Sequence, residues 1–191
     1  MPRLFFAIKT PKPLIKDLVL LQDQLARMLD ALRPPPSLKP ERLVNSHCTL
    51  RFLGDVESSR IDRIIQAVHG TIEAAHVPPI DVVLTQCGAF TSRAKARVLW
   101  IGLDPEAPFR QLQTAIDAGL RMAGFTPEVA QPLHPHLTLF RFREPYRLPS
   151  GFALPDRSGH SPHGSISEVE LVESKTLPDG AHHQTLASFS L

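Results

Sequence analysis

The sequence predicts a mixed fold of strands and helices arranged as two pseudo-symmetric lobes, and three observations predict it. The pattern His-x-Thr-Leu occurs twice, in "NSHCTLRFLG" and in "PLHPHLTLFR", with its histidines 89 residues apart (136 − 47 = 89). Each copy ends a strand, helix, strand unit, the first over residues 3–53 and the second over 97–142. An offset of this size exceeds the roughly 20–50-residue period of stacked repeats, which leaves two lobes rather than a solenoid. A length of 191 residues suits one bilobal domain spanning residues 1–191.

The elements follow in chain order. Arg3 to Ile8 is a short apolar run, as expected of a strand covered on both faces. Leu14, Leu18, Leu21, Leu25, Met28 and Leu32 recur every three or four residues, the stripe of an amphipathic helix, which Pro34-Pro35-Pro36 ends. From Ser46 to Leu53 the chain alternates: Cys48, Leu50 and Phe52 share one face of a strand, and His47, Thr49, Arg51 and Leu53 share the other. Ser59 with Asp62, followed by Ile61, Ile64, Ile65, Val68 and Ile72, signals a second helix. Ile80–Thr85 and Arg97–Leu103 read as a hairpin whose loop carries Arg93, Lys95 and Arg97. A third helix is marked by Phe109, Leu112, Ile116 and Leu120 and closed by Gly124 in the left-handed conformation. After the second His-x-Thr strand, residues 143–164 are rich in Pro, Gly and Ser and read as mostly loop. Glu168–Ser174 and His183–Ser190 form a last antiparallel pair, turned at Pro178-Asp179-Gly180.

Composition narrows the class. With 42% hydrophobic and 21% charged residues the chain is neither disordered nor collagen-like, and no run is long enough to span a membrane. The first apolar run is too short for an export signal, so a cytoplasmic protein with two unpaired, buried thiols, Cys48 and Cys87, is expected. A net charge of +2 does not mark a nucleic-acid binder by itself, so any basic site must be local.

On a strand, residues i and i+2 point the same way, so His47 projects beside Thr49 and His136 beside Thr138. Facing each other across a pseudo-twofold axis, two imidazoles and two hydroxyls suit a phosphodiester. One neutral His takes a proton from the attacking oxygen, a protonated His gives one to the leaving oxygen, and the threonines donate to the non-bridging oxygens. This chemistry needs no metal and no cofactor. Against it stands the bland reading: a lone His-x-Thr in a strand is most often structural, its ring bonded to nearby backbone. Two copies at equivalent places in a visible repeat weigh against that reading. His134-Pro-His136 lacks a carboxylate at ligand-like spacing and makes a poor metal site. Ser46 precedes His47 and points to the opposite face, which argues against a Ser-His nucleophile. His160, His163, His182 and His183 read as solvated, and Arg93, Lys95 and Arg97 either as a solvated loop or as a guide for a polyanion.

The paired "HCTL" and "HLTL", with "RLFFAI", "RFLGDV", "RVLWIGL" and "ELVESKTLPDG", resemble the two-histidine (2H) phosphoesterases over nearly the whole chain. The nearest branch looks like the RNA 2′,3′-cyclic phosphodiesterases, historically called 2′-5′ RNA ligases of the LigT type. The resemblance implies a bilobal α+β fold, an antiparallel sheet plus helices in each lobe and an active-site cleft between the sheets. It also implies metal-free hydrolysis of RNA 2′,3′-cyclic phosphate ends, or of small cyclic nucleotides, to 2′-phosphates. It carries His47 and His136 over as catalytic, with His136 as base and His47 as acid by analogy, an order that pseudo-symmetry leaves reversible. Thr49, Thr138 and Arg141 follow as substrate-binding. Strict alternation puts Arg141 opposite His136, so the strand must end, bulge or twist there. Arg51 shares a face with His47 by alternation and stands as the second candidate. Ligation of 2′-5′ RNA ends and a non-catalytic RNA-end or nucleotide-binding module are the alternatives; a monomer with no membrane contact is expected.

Overall fold

The computed structural model describes residues 1–126, 133–159, 163–178 and 180–191, so the expected solvation of His160 and the role of Asp179 in its turn lie outside the described residues. Strand β1 (Arg3–Lys9) is the opening apolar run, buried at its five central residues. Helix α1 (Lys12–Asp30) begins with a proline in its first turn, where no N–H is needed, and buries Leu14, Leu18, Leu21, Leu25 and Leu29. The buried stripe thus ends on Leu29 instead of Met28. The stretch after the three prolines is not only a link: β2 (Leu38–Pro40) pairs with β6 (His136–Tyr146) as an edge strand, where a proline is tolerated.

Strand β3 (His47–Asp55) carries the first His-x-Thr. Helix α2 (Ser58–Ala75) starts after Glu57 with no side-chain cap, so Ser59 lies inside its first turn and does not cap it. The hairpin of β4 (Ile80–Ser92) and β5 (Lys95–Asp104) is longer than the alternation signals. Its turn residues, Arg93 and Ala94, both have positive φ (49° and 59°), the hand that matches strand twist in a two-residue hairpin loop. Helix α3 (Glu106–Met122) closes as expected: Gly124 sits at φ 71°, and the Phe125 N–H donates to the Leu120 carbonyl at 2.8 Å. A short strand that the sequence does not signal, β7 (Gly164–Ile166), begins where the Pro-rich segment ends and precedes the hairpin of β8 (Glu168–Leu177) and β9 (Gly180–Ser190).

The strands form two antiparallel sheets, ordered β3-β1-β8-β9 and β2-β6-β5-β4-β7. Each repeat therefore puts both of its long strands in one sheet, but its helix goes elsewhere. Helix α1, between β1 and β3, lies against β6 and β7 of the second sheet; α3, between β5 and β6, lies against β3 of the first, with α2 packed on α3 and β9. The exchange interlocks the halves, and most of the buried apolar side chains join one cluster running through both. A small separate cluster, Phe5, Ala7 and Val172, belongs to the other face of the first sheet. No helix among the described residues is long and apolar enough to cross a membrane.

The crossing of α2 and α3 depends on a glycine. A Cβ at Gly119 would stand 2.6 Å from the Val68 Cα and 2.7 Å from the Thr71 hydroxyl oxygen. Gly119→Val should cost about 1–3 kcal/mol by overpacking. The check is urea unfolding: the midpoint falls with an unchanged slope, and an undiminished midpoint would mean that the helices can part at no cost.

Candidate active site

Between the two sheets lies a cavity of about 400 Å³ that His47, Thr49, His136, Thr138 and Arg141 all line. The local architecture of the two histidines is the same. The His47 Nδ1 lies 2.6 Å from the Asn45 carbonyl, and the His136 Nδ1 lies 2.7 Å from the His134 carbonyl, each two residues upstream. A carbonyl only accepts, so each Nδ1 bears the proton, and Nε2 is left as the atom that can take or give one. The Asn45 carbonyl is itself held in place: the Asn45 side-chain amide donates to the Ala181 carbonyl of β9 at 2.9 Å. Ser46, 5% exposed, pairs its hydroxyl with that of Thr10 at 2.7 Å and does not serve His47.

The strands do not keep strict alternation. Phe6 pairs with Arg51 and Ala7 with Thr49, so Leu50 has no partner on β1; Leu99 pairs with Phe140 and Trp100 with Thr138, so Leu139 has none on β5. These two β-bulges occupy equivalent places in the repeat (139 − 50 = 89), and the burial sequences from His47 and from His136 agree residue for residue over the first six positions. One inserted residue reverses the faces beyond it. Arg141 is thereby turned to the cavity, which answers the conflict with alternation. By the same displacement Arg51 is turned away: it is buried, absent from the cavity lining, and paired with Asp117 of α3. The expectation that Arg51 shares the face of His47 is corrected accordingly, and the large side chain that reaches the cavity from this strand is Phe52, 68% exposed.

Several lining residues carry no signal in the local pattern. His183, read as solvated, lies with its ring centroid 5.1 Å from that of His47, although β1 and β8 separate their strands. The first sheet must therefore curl, and the bulges between Leu4 and Ala7 and at Leu171/Val172 supply the bend. Phe5 sits between them, 4.9 Å from His47 and 5.2 Å from His183. On the opposite wall Phe90 meets His136 edge-on at 4.8 Å, and Trp100 backs His134 at 4.4 Å. Trp100 in turn fits only because residue 88 is glycine, where a Cβ would stand 2.2 Å from the indole. The exposed hairpin-tip residues Arg93, Lys95 and Arg97 do not reach the cavity; its further cations are Arg3, Lys39 and Arg42. His163 and His182 are exposed. Both cysteines are free and buried, and burial raises each thiol to a pKa of about 12.

Burial pushes the His47 and His136 pKa values below the usual 6.5 despite the carbonyl bonds that raise them, and Arg141 lowers both further. His47 also feels His136, and His136 feels His134. Neutral imidazoles therefore dominate at pH 7, and an anion placed between them would draw a proton in. Arg141 carries a partial counter-charge, its Nε lying 3.5 Å from Glu41 Oε2. Among the described residues no three His, Cys, Asp or Glu side chains group as a metal set.

A family model described as the 2′-5′ RNA ligase superfamily matches residues 21–176. The RNA 2′,3′-cyclic phosphodiesterase of Methanothermobacter thermautotrophicus is 29% identical over 177 residues, 90% of this chain and 92% of its own length. A crystal structure of a Thermus thermophilus protein superposes with a TM-score of 0.77 at 26% identity, covering 99% of this chain and 97% of that one. Escherichia coli LigT in its apo form shares the fold, with a TM-score of 0.76 at 22% identity over 100% of this chain and 97% of its own.

The electrostatics can be read directly by NMR titration. The His47 and His136 imidazoles should titrate below pH 6.5, and Arg141→Ala should move both midpoints upward by removing a repelling cation. Midpoints at or above 6.5 in the unliganded protein would contradict the assignment of burial as the dominant influence.

Proposed function

The chain belongs to the 2′-5′ RNA ligase superfamily, and from that premise we propose that it hydrolyses RNA 2′,3′-cyclic phosphate ends to 2′-phosphate ends without a metal ion. The observation that supports the reading most is the matched pair of imidazoles, each with Nδ1 bonded to the carbonyl two residues upstream and each lining the same cavity. In this mechanism His136 takes a proton from the attacking water through Nε2. His47, protonated, gives one to the departing 3′ oxygen, so the P–O3′ bond breaks as the bond to water oxygen forms. Thr49 and Thr138 donate to the non-bridging oxygens, where charge accumulates, and Arg141 binds the phosphate. Small nucleoside 2′,3′-cyclic phosphates present the same reacting group and serve as substrates.

On this reading residues 1–191 act as one bilobal unit, because each half supplies one histidine, and a monomer suffices. Joining of 2′-5′ RNA ends would use the same residues with a 5′-hydroxyl in place of water. Adding a 5′-hydroxyl oligonucleotide to the assay separates the two outcomes by product length.

The pH dependence follows from the lowered imidazole values. Catalysis requires one neutral and one protonated histidine, so the profile is bell-shaped. In the free enzyme the acid loses its proton below pH 6.5, and kcat/KM should therefore decline as pH rises through neutrality. A bound phosphate anion favours the imidazolium, so the alkaline limb of kcat should lie at higher pH than that of kcat/KM. Coincident limbs would argue that the substrate anion does not touch the acid.

His47→Ala and His136→Ala should each lower kcat by about 10²–10⁴ in the presence of EDTA, with smaller losses for Thr49→Ala and Thr138→Ala. A substrate with sulfur at the bridging 3′ position separates the roles, since a thiolate leaves without a proton. His47→Ala should recover most of its rate on that substrate and His136→Ala should not; the opposite pattern would exchange acid and base. Loss of turnover on chelation, with a folded His→Ala variant near wild-type rate, would defeat the mechanism.

A further inference from the structure

Each bulge that sets a face of the cavity is gripped by a glutamine from a helix. Gln22, on α1, donates through Nε2 to the Leu139 carbonyl at 3.0 Å, and Gln113, on α3, donates through Nε2 to the Leu50 carbonyl at 3.0 Å. The two glutamines are 91 residues apart (113 − 22 = 91), close to the offset of the bulges they hold. Because the helices are exchanged between the sheets, each glutamine comes from the opposite half of the repeat to the strand it holds.

The grip on β6 goes further than its counterpart. Gln22 Nε2 also donates to the Glu41 carbonyl at 2.9 Å. The Glu41 N–H donates to the same Leu139 carbonyl at 2.9 Å, and the Glu41 carboxylate lies 3.5 Å from the Arg141 guanidinium. One side-chain amide thus ties together the bulge that turns Arg141 to the cavity and the carboxylate that steadies it there. We propose that Gln22 is a positioning residue for Arg141, holding the guanidinium at the phosphate through the Leu139 bulge and Glu41. Gln113 holds the opposite bulge, beyond which the side chain facing the cavity is Phe52, so it has no such connection to Arg141.

The inference rests on the reading of Arg141 as a phosphate ligand, and its test uses a probe that needs no turnover. Binding of inorganic phosphate to the full chain is followed by NMR for wild type, Gln22→Met, Gln113→Met, Arg141→Ala and each glutamine variant combined with Arg141→Ala. Methionine keeps the length and helix propensity of glutamine and removes the donor. Gln22→Met should weaken phosphate binding about five- to ten-fold with Arg141 present, the scale of one hydrogen bond, and less than about two-fold in the Arg141→Ala background. Gln113→Met should be additive with Arg141→Ala. In kinetics on a nucleoside 2′,3′-cyclic phosphate, Gln22→Met should raise KM by a similar factor and change kcat by less than about two-fold, the split expected for lost ground-state binding. An unchanged affinity in Gln22→Met, an equal loss in both backgrounds, or equal coupling of Gln113 and Gln22 to Arg141 would overturn the proposal. If wild type binds phosphate with the expected coupling but does not hydrolyse a cyclic phosphate, the proposed function falls and the positioning role stands. If wild type binds no phosphate, both fall.

Discussion

A β-bulge adds a residue that the neighbouring strand does not match, and from that point onward every side chain changes face. At Leu50 and Leu139 this displacement decides which groups meet in the cavity. Up to the threonines the two strands run as ordinary alternation and present His and Thr together. Beyond them alternation would offer Arg51 and Phe140; the bulges offer Phe52 and Arg141. Arg51 is then free to do structural work: its guanidinium, drawn into the interior, meets Asp117 of α3 and fastens that helix under β3. A buried guanidinium without such a partner would be strongly destabilising, so the bulge and Asp117 belong to one solution.

The same constraint explains how a symmetric scaffold makes an asymmetric site. The local geometry is repeated closely: the Nδ1 bond to the carbonyl two residues upstream, the Thr two residues on, and the bulge after it. Symmetry ends at the side chains that follow. One wall ends in the phenyl ring of Phe52 and the other in a guanidinium with Glu41 beside it. The proposed substrate, a phosphate bearing a nucleoside, has the same polarity, charged at one end and flat and apolar at the other, so on that proposal the positions past the bulges would set its orientation.

Much of this was legible in the sequence. The two His-x-Thr copies, their strand, helix, strand settings and the apolar stripes are local patterns with a period of two or of 3.6, and they place β1, α1, β3, β5, α3 and β6 within a few residues. What local pattern could not supply was set by distant partners. β2 is a strand because β6 accepts it, and β7 because β4 does; neither has the length or alternation to announce itself. Local alternation puts Arg51 on the cavity face because no residue type marks the bulge that turns it away. His183 reads as solvated from local pattern for the same kind of reason: its approach to His47 needs the order β3-β1-β8-β9 and the curl of that sheet, and both depend on non-local pairing.

The exchange of helices gives the bulges a dependence on the whole molecule. Leu50 and Leu139 are buried, so their carbonyls must be hydrogen-bonded or bear a desolvation cost: that of Leu139 accepts from the Glu41 N–H and from Gln22, that of Leu50 from Gln113. Had α1 stayed on the sheet of its own strands, Gln22 could not have reached Leu139, nor Gln113 Leu50 from α3. The halves therefore complete each other twice, once by facing one histidine with another across the cavity and once by lending a helix that satisfies the opposite bulge. In such an arrangement a lobe separated from its partner would lose both the second imidazole and the donor that holds its own strand in the bulged register.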